Sequence, residues 1–466
     1  MKSFAIAALA AATVFAADES DLMANLPDAP EFATTTYSGY LMASKTKKLH
    51  YVFTESMDAP ETDPVIIWFN GGPGCSSMLG MMQELGPIVL DDGEEYFKTN
   101  PHPWNERANV LFIESPAGVG WSWAGTDADM STNDMIQSQD ALAGLHHFYK
   151  KFPEFLPNEL YISGESYGGI YVPYLAWQIY QNNMQAAFRD EIPKINIGGT
   201  MVGNGATNWT YDVWPTFPAT VANFNIIPQS MLQDFESNDC HAYFHNVRPA
   251  TETDACEAVA KSIMDLTGQL NWYDLYRKNY DLPAANDDRM GTTIINGKER
   301  TYRRGMTMAE YTPWAPHVVN SEGGQARNGD FLTDYMNRED VRAAFNIPEE
   351  VQTWEQCSST LDYHVQDEAS MWIYQVLQNK MRLMFYSGDT DGAITTYGSK
   401  MWMKELGWPI VDAWRPWFTN GQVSGYTETY DGLVFTTVKG VGHMAPQWAR
   451  QAVTNMIMAH VHGEDI

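Results

Sequence analysis

Residues Glu159–Tyr180 read ELYISGESYGGIYVPYLAWQIY. A short apolar run, a glycine-rich turn and an apolar helical pattern follow one another without a break. Between them stands G-x-S-x-G, centred on Ser166. A strand before and a helix after is the context in which this motif forms a nucleophile elbow, a sharp turn that presents a serine hydroxyl at the end of a sheet strand. The flanking glycines let the turn approach neighbouring backbone closely, and the serine takes a strained conformation. The pattern predicts an α/β fold with a reactive serine where a strand ends.

Working outward, similar apolar runs predict further buried strands at Pro64–Phe69 (PVIIWF), Asn109–Ile113 (NVLFI), Ile195–Gly203 (INIGGTMVG), Met381–Tyr386 (MRLMFY) and Leu433–Val438 (LVFTTV). Most run into a glycine-bearing turn, and helical patterns separate several of them. That alternation argues for a mostly parallel sheet flanked by helices. His50–Glu55 (HYVFTE) alternates and predicts an antiparallel strand. The chain has 466 residues, 44% hydrophobic and 19% charged, enough to build a large core. From about Ala206 to Asn337 the texture changes to Pro, Asn, Asp and Trp, with irregular helical patterns. An insertion over 206–337 is therefore expected to cap the sheet, dividing the core into 18–205 and 338–466.

A serine hydroxyl is a poor nucleophile without a base. In α/β-hydrolases the chain order is Ser, then Asp or Glu, then His. MRLMFY runs into SGDTDG, which puts Asp389 and Asp391 at a strand end, and LVFTTV runs into KGVGHMAP, which puts His443 in a glycine-rich loop. Sites in open α/β sheets lie at such carboxyl ends. A second glycine-rich element, WFNGGPGCSS (Trp68–Ser77), also follows a strand. It occupies the position of the loop that donates one oxyanion-hole N–H.

The N-terminus carries Lys2, then an apolar run from Phe4 to Phe15, then Val14-Phe15-Ala16. This is the layout of a secretory signal peptide over residues 1–17. No other apolar run reaches spanning length, and a net charge of −29 disfavours nucleic-acid and anionic membrane partners. In an oxidising compartment the four cysteines, Cys75, Cys240, Cys256 and Cys357, permit two bridges in three connectivities. No C-x-x-C spacing points to a metal. Asn208-Trp209-Thr210 is a glycosylation sequon. His241 and His245 stand four apart beside Cys240 without an evident third ligand, which favours a structural or surface role. The acidic run Asp91–Glu95 reads as a solvated turn.

Taken together, WFNGGPGCSS, ESPAGVGWSW, GESYGGIYVP, SGDTDG and GVGHMAP resemble the serine carboxypeptidase family of secretory, lysosomal and vacuolar exopeptidases. The similarity runs from Tyr37 nearly to the C-terminus and includes NREDVRAAFNI at Asn337–Ile347. The resemblance implies an α/β-hydrolase fold with Ser166 as nucleophile, His443 as general base and Asp391, rather than Asp389, as the triad acid. It implies an oxyanion hole from the N–H groups of Gly72 and Tyr167. It implies recognition of a substrate's terminal carboxylate by Asn70 and Glu165, with Trp68 nearby and Glu84 as the partner of Glu165. It pairs Cys75 with Cys357 and Cys240 with Cys256. No cofactor is implied. The expected partner is a peptide or protein with a free C-terminus, and a homodimer is compatible with the sequence. Residence in the secretory route, with a lysosome, vacuole or the exterior as destination, is expected. Two adjacent glutamates cannot both ionise cheaply, so cleavage is expected to favour acid. The rival readings are an acyltransferase of the same type and a catalytically silent binding protein or chaperone. Glu165, where such acyltransferases often carry Asp, favours hydrolysis.

Overall fold

The computed structural model describes residues 19–189, 193–241, 253–278, 290–295, 298–303 and 328–466. The expected signal segment 1–17 and His245 lie outside them. An 11-stranded sheet forms the centre. Its strands are β1 (Thr36–Met42), β2 (Lys47–Thr54), β3 (Val65–Phe69), β4 (Asn109–Ile113), β5 (Trp123–Ala124), β6 (Leu160–Ser166), β7 (Ile197–Gly205), β8 (Arg382–Gly388), β9 (Ile410–Thr419), β10 (Gln422–Tyr430) and β11 (Leu433–Val438). They lie in the order β1-β2-β4-β3-β6-β7-β8-β11-β10-β9, with β5 paired to β2. From β4 to β11 every neighbour is parallel. Antiparallel pairs close both edges, β1–β2–β4 on one side and β11–β10–β9 on the other.

The central strands read as continuous apolar runs because both faces of the sheet are covered. Helices α1 (Asp134–Lys151) and α2 (Gly168–Ala186) share one face, and α3 (Arg450–His462) packs on the other. Along β3 the side chains divide accordingly. Val65, Ile67 and Phe69 join the cluster containing Leu145 of α1 and Leu175 of α2, while Ile66 and Trp68 join the one containing Val453 and Ile457 of α3. The alternation in HYVFTE separates two buried faces rather than core from water, since His50 through Thr54 are all buried. Helix α1 starts where the Asn133 side chain accepts from Ile136 N at 2.9 Å, and it ends on Lys150 and Lys151, which suit the negative end of the helix dipole. A mostly parallel sheet covered on both faces, with a serine turn closing a central strand, is α/β-hydrolase architecture.

Within 206–337 the described helices are Phe217–Asn223, Gln229–Ser237, Asp254–Thr267 and Asn328–Met336, with a hairpin of Met290–Ile295 and Lys298–Arg303. The Cys240–Cys256 bridge ties the second of these helices to the third. Trp272 packs on Trp214 and Phe217, with ring centroids 4.3 and 4.7 Å away. Leu332 and Met336, at the far end of this stretch, are wholly buried, and Tyr335 packs on Phe97 at 4.7 Å.

A buried polar knot fastens the first edge of the sheet. Glu114, at the end of β4, accepts from Trp354 Nε1 (2.9 Å), Trp121 N (2.7 Å) and Ser76 Oγ, and it pairs with His50 Nδ1 at 2.9 Å. His50 Nε2 lies 2.9 Å from Ser38 Oγ, which donates to the Phe345 carbonyl at 2.7 Å. Ser38, His50 and Glu114 are completely shielded from solvent.

Candidate active site

Strand β6 runs to Ser166, beyond the apolar run, because Gly164–Ser166 still pair with β7. Helix α2 begins at Gly168, so Ser166 sits between a strand end and a helix N-terminus. Its φ is 61°, a left-handed conformation that few non-glycine residues adopt and that costs on the order of 1–3 kcal/mol. This is the strain expected of a nucleophile elbow. The Trp68–Ser77 loop lies directly against it. A β-carbon on Gly71 would fall 2.6 Å from the Ser166 β-carbon and collide with Tyr167 N, so only glycine fits there. Gly72 has φ 112° and likewise requires glycine. The structure thus brings the backbones of Gly71–Gly72 and Ser166–Tyr167 together.

The other two triad candidates meet each other. His443 Nδ1 lies 2.7 Å from Asp391 Oδ2. That oxygen also accepts from Asn204 Nδ2 at 2.8 Å, and Oδ1 accepts from Ala393 N (2.7 Å) and Ile394 N (3.2 Å). Four donors therefore fix the carboxylate. His443 is 2% exposed, and its Nε2 has no hydrogen-bond partner among the described residues, leaving it available for proton transfer. Its N–H donates to the Tyr273 carbonyl at 2.6 Å, and the Tyr273 ring meets the imidazole edge-on, centroids 4.5 Å apart. Asp389 serves the backbone instead. Its Oδ1 accepts from Gly440 N at 2.7 Å and braces the loop after β8 against the loop after β11.

Trp68, Asn70, Glu84 and Glu165 form one buried cluster immediately before Ser166. Asn70 Nδ2 donates to Glu84 Oε1 and Glu165 Oε1, both at 3.0 Å, and Asn70 Oδ1 accepts from Trp68 Nε1 and Gly80 N, both at 2.8 Å. The amide is therefore locked with its donor toward the carboxyls. Glu84 and Glu165 are 1% and 4% exposed. Burial pushes the Glu84 carboxyl up to about 7, against its hydrogen bonds to Asn70 and Glu165. Burial, joined by the charge of Glu84, raises Glu165 well above the usual carboxylate range. Burial thus favours the protonated form of both carboxyls, which can donate hydrogen bonds.

Tyr167 is held by its side chain as well. Its hydroxyl and that of Tyr363 both donate to Asp134 Oδ1, at 2.8 and 2.7 Å. The Cys75–Cys357 bridge anchors the glycine loop, and Gly74 N donates to Tyr171 Oη at 3.2 Å. Asn208 is half-buried just past β7, its Oδ1 accepting from Thr210 N at 3.0 Å. The acidic run is not a freely solvated turn. Asp91 pairs with Arg450 at 2.6 Å, and Asp92 accepts from Arg277, Gln447 and Trp448. Among the described residues no cluster of His, Cys, Asp or Glu is arranged to hold a metal ion, and no helix is long and apolar enough to cross a membrane. Asn204, Tyr273 and Asp92 carried no functional signal of their own in the sequence.

The profile of one protein family, described as serine carboxypeptidase, matches residues 27–463. The chain is 33% identical to the putative serine carboxypeptidase-like 30 of Arabidopsis thaliana over 467 residues, covering 96% of this chain and 90% of that protein. It is 33% identical to serine carboxypeptidase 1 of Hordeum vulgare over 445 residues, covering 89% and 87%. A prohormone-processing carboxypeptidase from Saccharomyces cerevisiae superposes with a TM-score of 0.73 at 17% identity, covering 96% of this chain and 95% of that one, which speaks for the fold.

Proposed function

The chain belongs to the serine carboxypeptidase family, and from that premise we propose that it releases C-terminal amino acids from peptides and proteins, most efficiently in acid. The observation that carries this reading is the buried carboxyl pair Glu84–Glu165, clamped by Asn70 and adjoining Ser166, whose burial favours the protonated forms. A chain-terminal carboxylate entering it meets hydrogen-bond donors from Asn70 and the protonated glutamates, and the last peptide bond is then set beside Ser166.

Ser166 Oγ attacks the carbonyl carbon of that bond while His443 Nε2 takes its proton. Asp391 holds the tautomer with Nδ1–H toward itself and stabilises the imidazolium. The N–H groups of Gly72 and Tyr167 receive the oxyanion, each worth about 2.7–4 kcal/mol in comparable sites. The C–N bond breaks as Nε2 returns the proton to the leaving amine. Water, deprotonated by the same nitrogen, then cleaves the acyl-enzyme ester. The leader-like N-terminus and the two disulfides support residence in the secretory route, with a lysosome, vacuole or the exterior as destination.

The test incubates the protein with a blocked dipeptide acid in the presence and absence of an alcohol acceptor. Release of free amino acid, abolished in Ser166→Ala, is expected. Activity persisting in Ser166→Ala, or acyl transfer to the alcohol without hydrolysis, overturns the assignment.

A further inference from the structure

Residues 271–277 of the insertion lie across both loops of the triad. Trp272 O accepts from Gly392 N at 2.8 Å, Tyr273 O accepts from His443 N at 2.6 Å, and Leu275 N donates to Thr390 O at 3.0 Å. Thr390 Oγ1 donates to Asp274 Oδ1 at 2.8 Å. This short strap therefore bonds to both neighbours of Asp391 and to His443 itself.

The far end of the strap and the chain beyond His443 converge on one side chain. Arg277, four residues after Tyr273, donates from Nη1 to Asp92 Oδ2 at 3.1 Å and lies over the Trp448 ring at 4.3 Å. Gln447 Nε2 donates to Asp92 Oδ1 at 2.9 Å, and Trp448 Nε1 donates to Oδ2 at 3.1 Å. The adjacent Asp91 receives Arg450 Nη1 at 2.6 Å, and Arg450 Nη2 donates to the Gln83 carbonyl at 2.9 Å, next to Glu84. We infer that Asp92 is a positioning residue for catalysis: it clamps the strap to the segment following His443 and so keeps the imidazole seated on Asp391. Asp92 lies outside the triad, the oxyanion loop and the carboxyl pair, and it acts through Arg277, Gln447 and Trp448. Its side chain is only 13% exposed, so these charge-assisted hydrogen bonds are little screened. Misplacement of a reacting group by about 1 Å can lower the rate by about a hundredfold.

The inference rests on Ser166 and His443 doing the chemistry, and the experiment keeps the two apart. Asp92→Ala, Asp92→Asn, Arg277→Ala and the double variant Asp92→Ala/Arg277→Ala are compared with wild type and Ser166→Ala. The readouts are kcat and KM for a blocked dipeptide acid, the rate of labelling by an organofluorophosphonate, and the melting temperature. Asp92→Ala is expected to lower kcat and labelling rate by about ten- to a hundredfold with KM within about twofold. Asp92→Asn, which keeps an acceptor for Gln447 or Trp448, should recover part of the loss. Arg277 Nε also pairs with Asp274 at 3.4 Å, so the loss in the double variant should exceed neither single loss by much and should fall well short of their product, because both side chains act mainly through one clamp. Wild-type kcat and labelling in folded Asp92→Ala, a loss confined to KM, or losses that multiply in the double variant overturn the role of Asp92. If Asp92→Ala does not fold, Arg277→Ala, at a side chain 35% exposed, breaks the same clamp and is read by the same criteria. Activity remaining in Ser166→Ala would instead refute the triad.

Discussion

The carboxyl pair makes a quantitative claim about pH. Burial holds the Glu84 proton to about 7, against about 4.5 for a solvated glutamate, and burial together with the charge of Glu84 holds Glu165 well above the usual carboxylate range too. Above that point the pair carries negative charge where a substrate carboxylate should sit. With a midpoint near 7, about nine tenths of the pair is fully protonated at pH 6 and about one tenth at pH 8. KM for a blocked dipeptide acid should therefore rise about tenfold over that interval relative to the corresponding C-terminal amide. The same displacement has a sign for stability. The folded state binds this proton more tightly than the unfolded chain, so its contribution is full below pH 4.5 and is lost as pH climbs through 7, by about 3 kcal/mol in all. Glu84→Gln removes the titrating carboxyl and should flatten both dependences. The assay is steady-state kinetics of the acid and amide at pH 5 to 8, with urea unfolding at the same pH values. Parallel acid and amide profiles, or a Glu84→Gln variant whose stability slope matches wild type, would refute the reasoning.

Three further outcomes follow from the site geometry. Ser166→Gly should abolish turnover yet stabilise the fold by about 1 kcal/mol in urea unfolding, since glycine accepts φ 61° without strain. Gly71→Ala should lower kcat by at least about a hundredfold, because its methyl group would drive the oxyanion loop off Ser166 and Tyr167; fluorophosphonate labelling rates read this directly. Asn204→Ala removes one of four donors to the Asp391 carboxylate, so kcat should fall about tenfold with little change in KM, a loss of about 1–2 kcal/mol.

The sequence exposed what local patterning encodes. Each apolar run became a strand within a few residues, since a strand covered on both faces must be apolar throughout. The strand-end placement of Ser166, Asp391 and His443 was legible because each follows such a run, and the order of three strand-end residues is what makes them the triad candidates. The strand at 47–54 read correctly as antiparallel, while its two buried faces did not show in the pattern, because polar His50 and Thr54 are satisfied by hydrogen bonds. Asn204, Tyr273 and Asp92 were illegible for a different reason. Asn204 meets Asp391 across 187 positions and Asp92 meets Arg277 across 185, and no local periodicity marks a contact made only by folding. The same holds for Asp91 and Asp92, whose composition suggests solvent until Arg450 and Arg277 are seen beside them.

Ser38, His50 and Glu114 repeat the residue types proposed for Ser166, His443 and Asp391, and comparing the two sets shows what separates a tool from a rivet. In Ser38–His50–Glu114 both links measure 2.9 Å, yet the Ser38 hydrogen is already committed to the Phe345 carbonyl and the whole group is sealed from water. Ser166, by contrast, keeps part of its surface open. Titration with a serine-directed phosphonate should accordingly stop at one label per polypeptide. On the proposed reading, reactivity takes an unspent lone pair and a hydroxyl that a reagent can reach, not merely three side chains that touch.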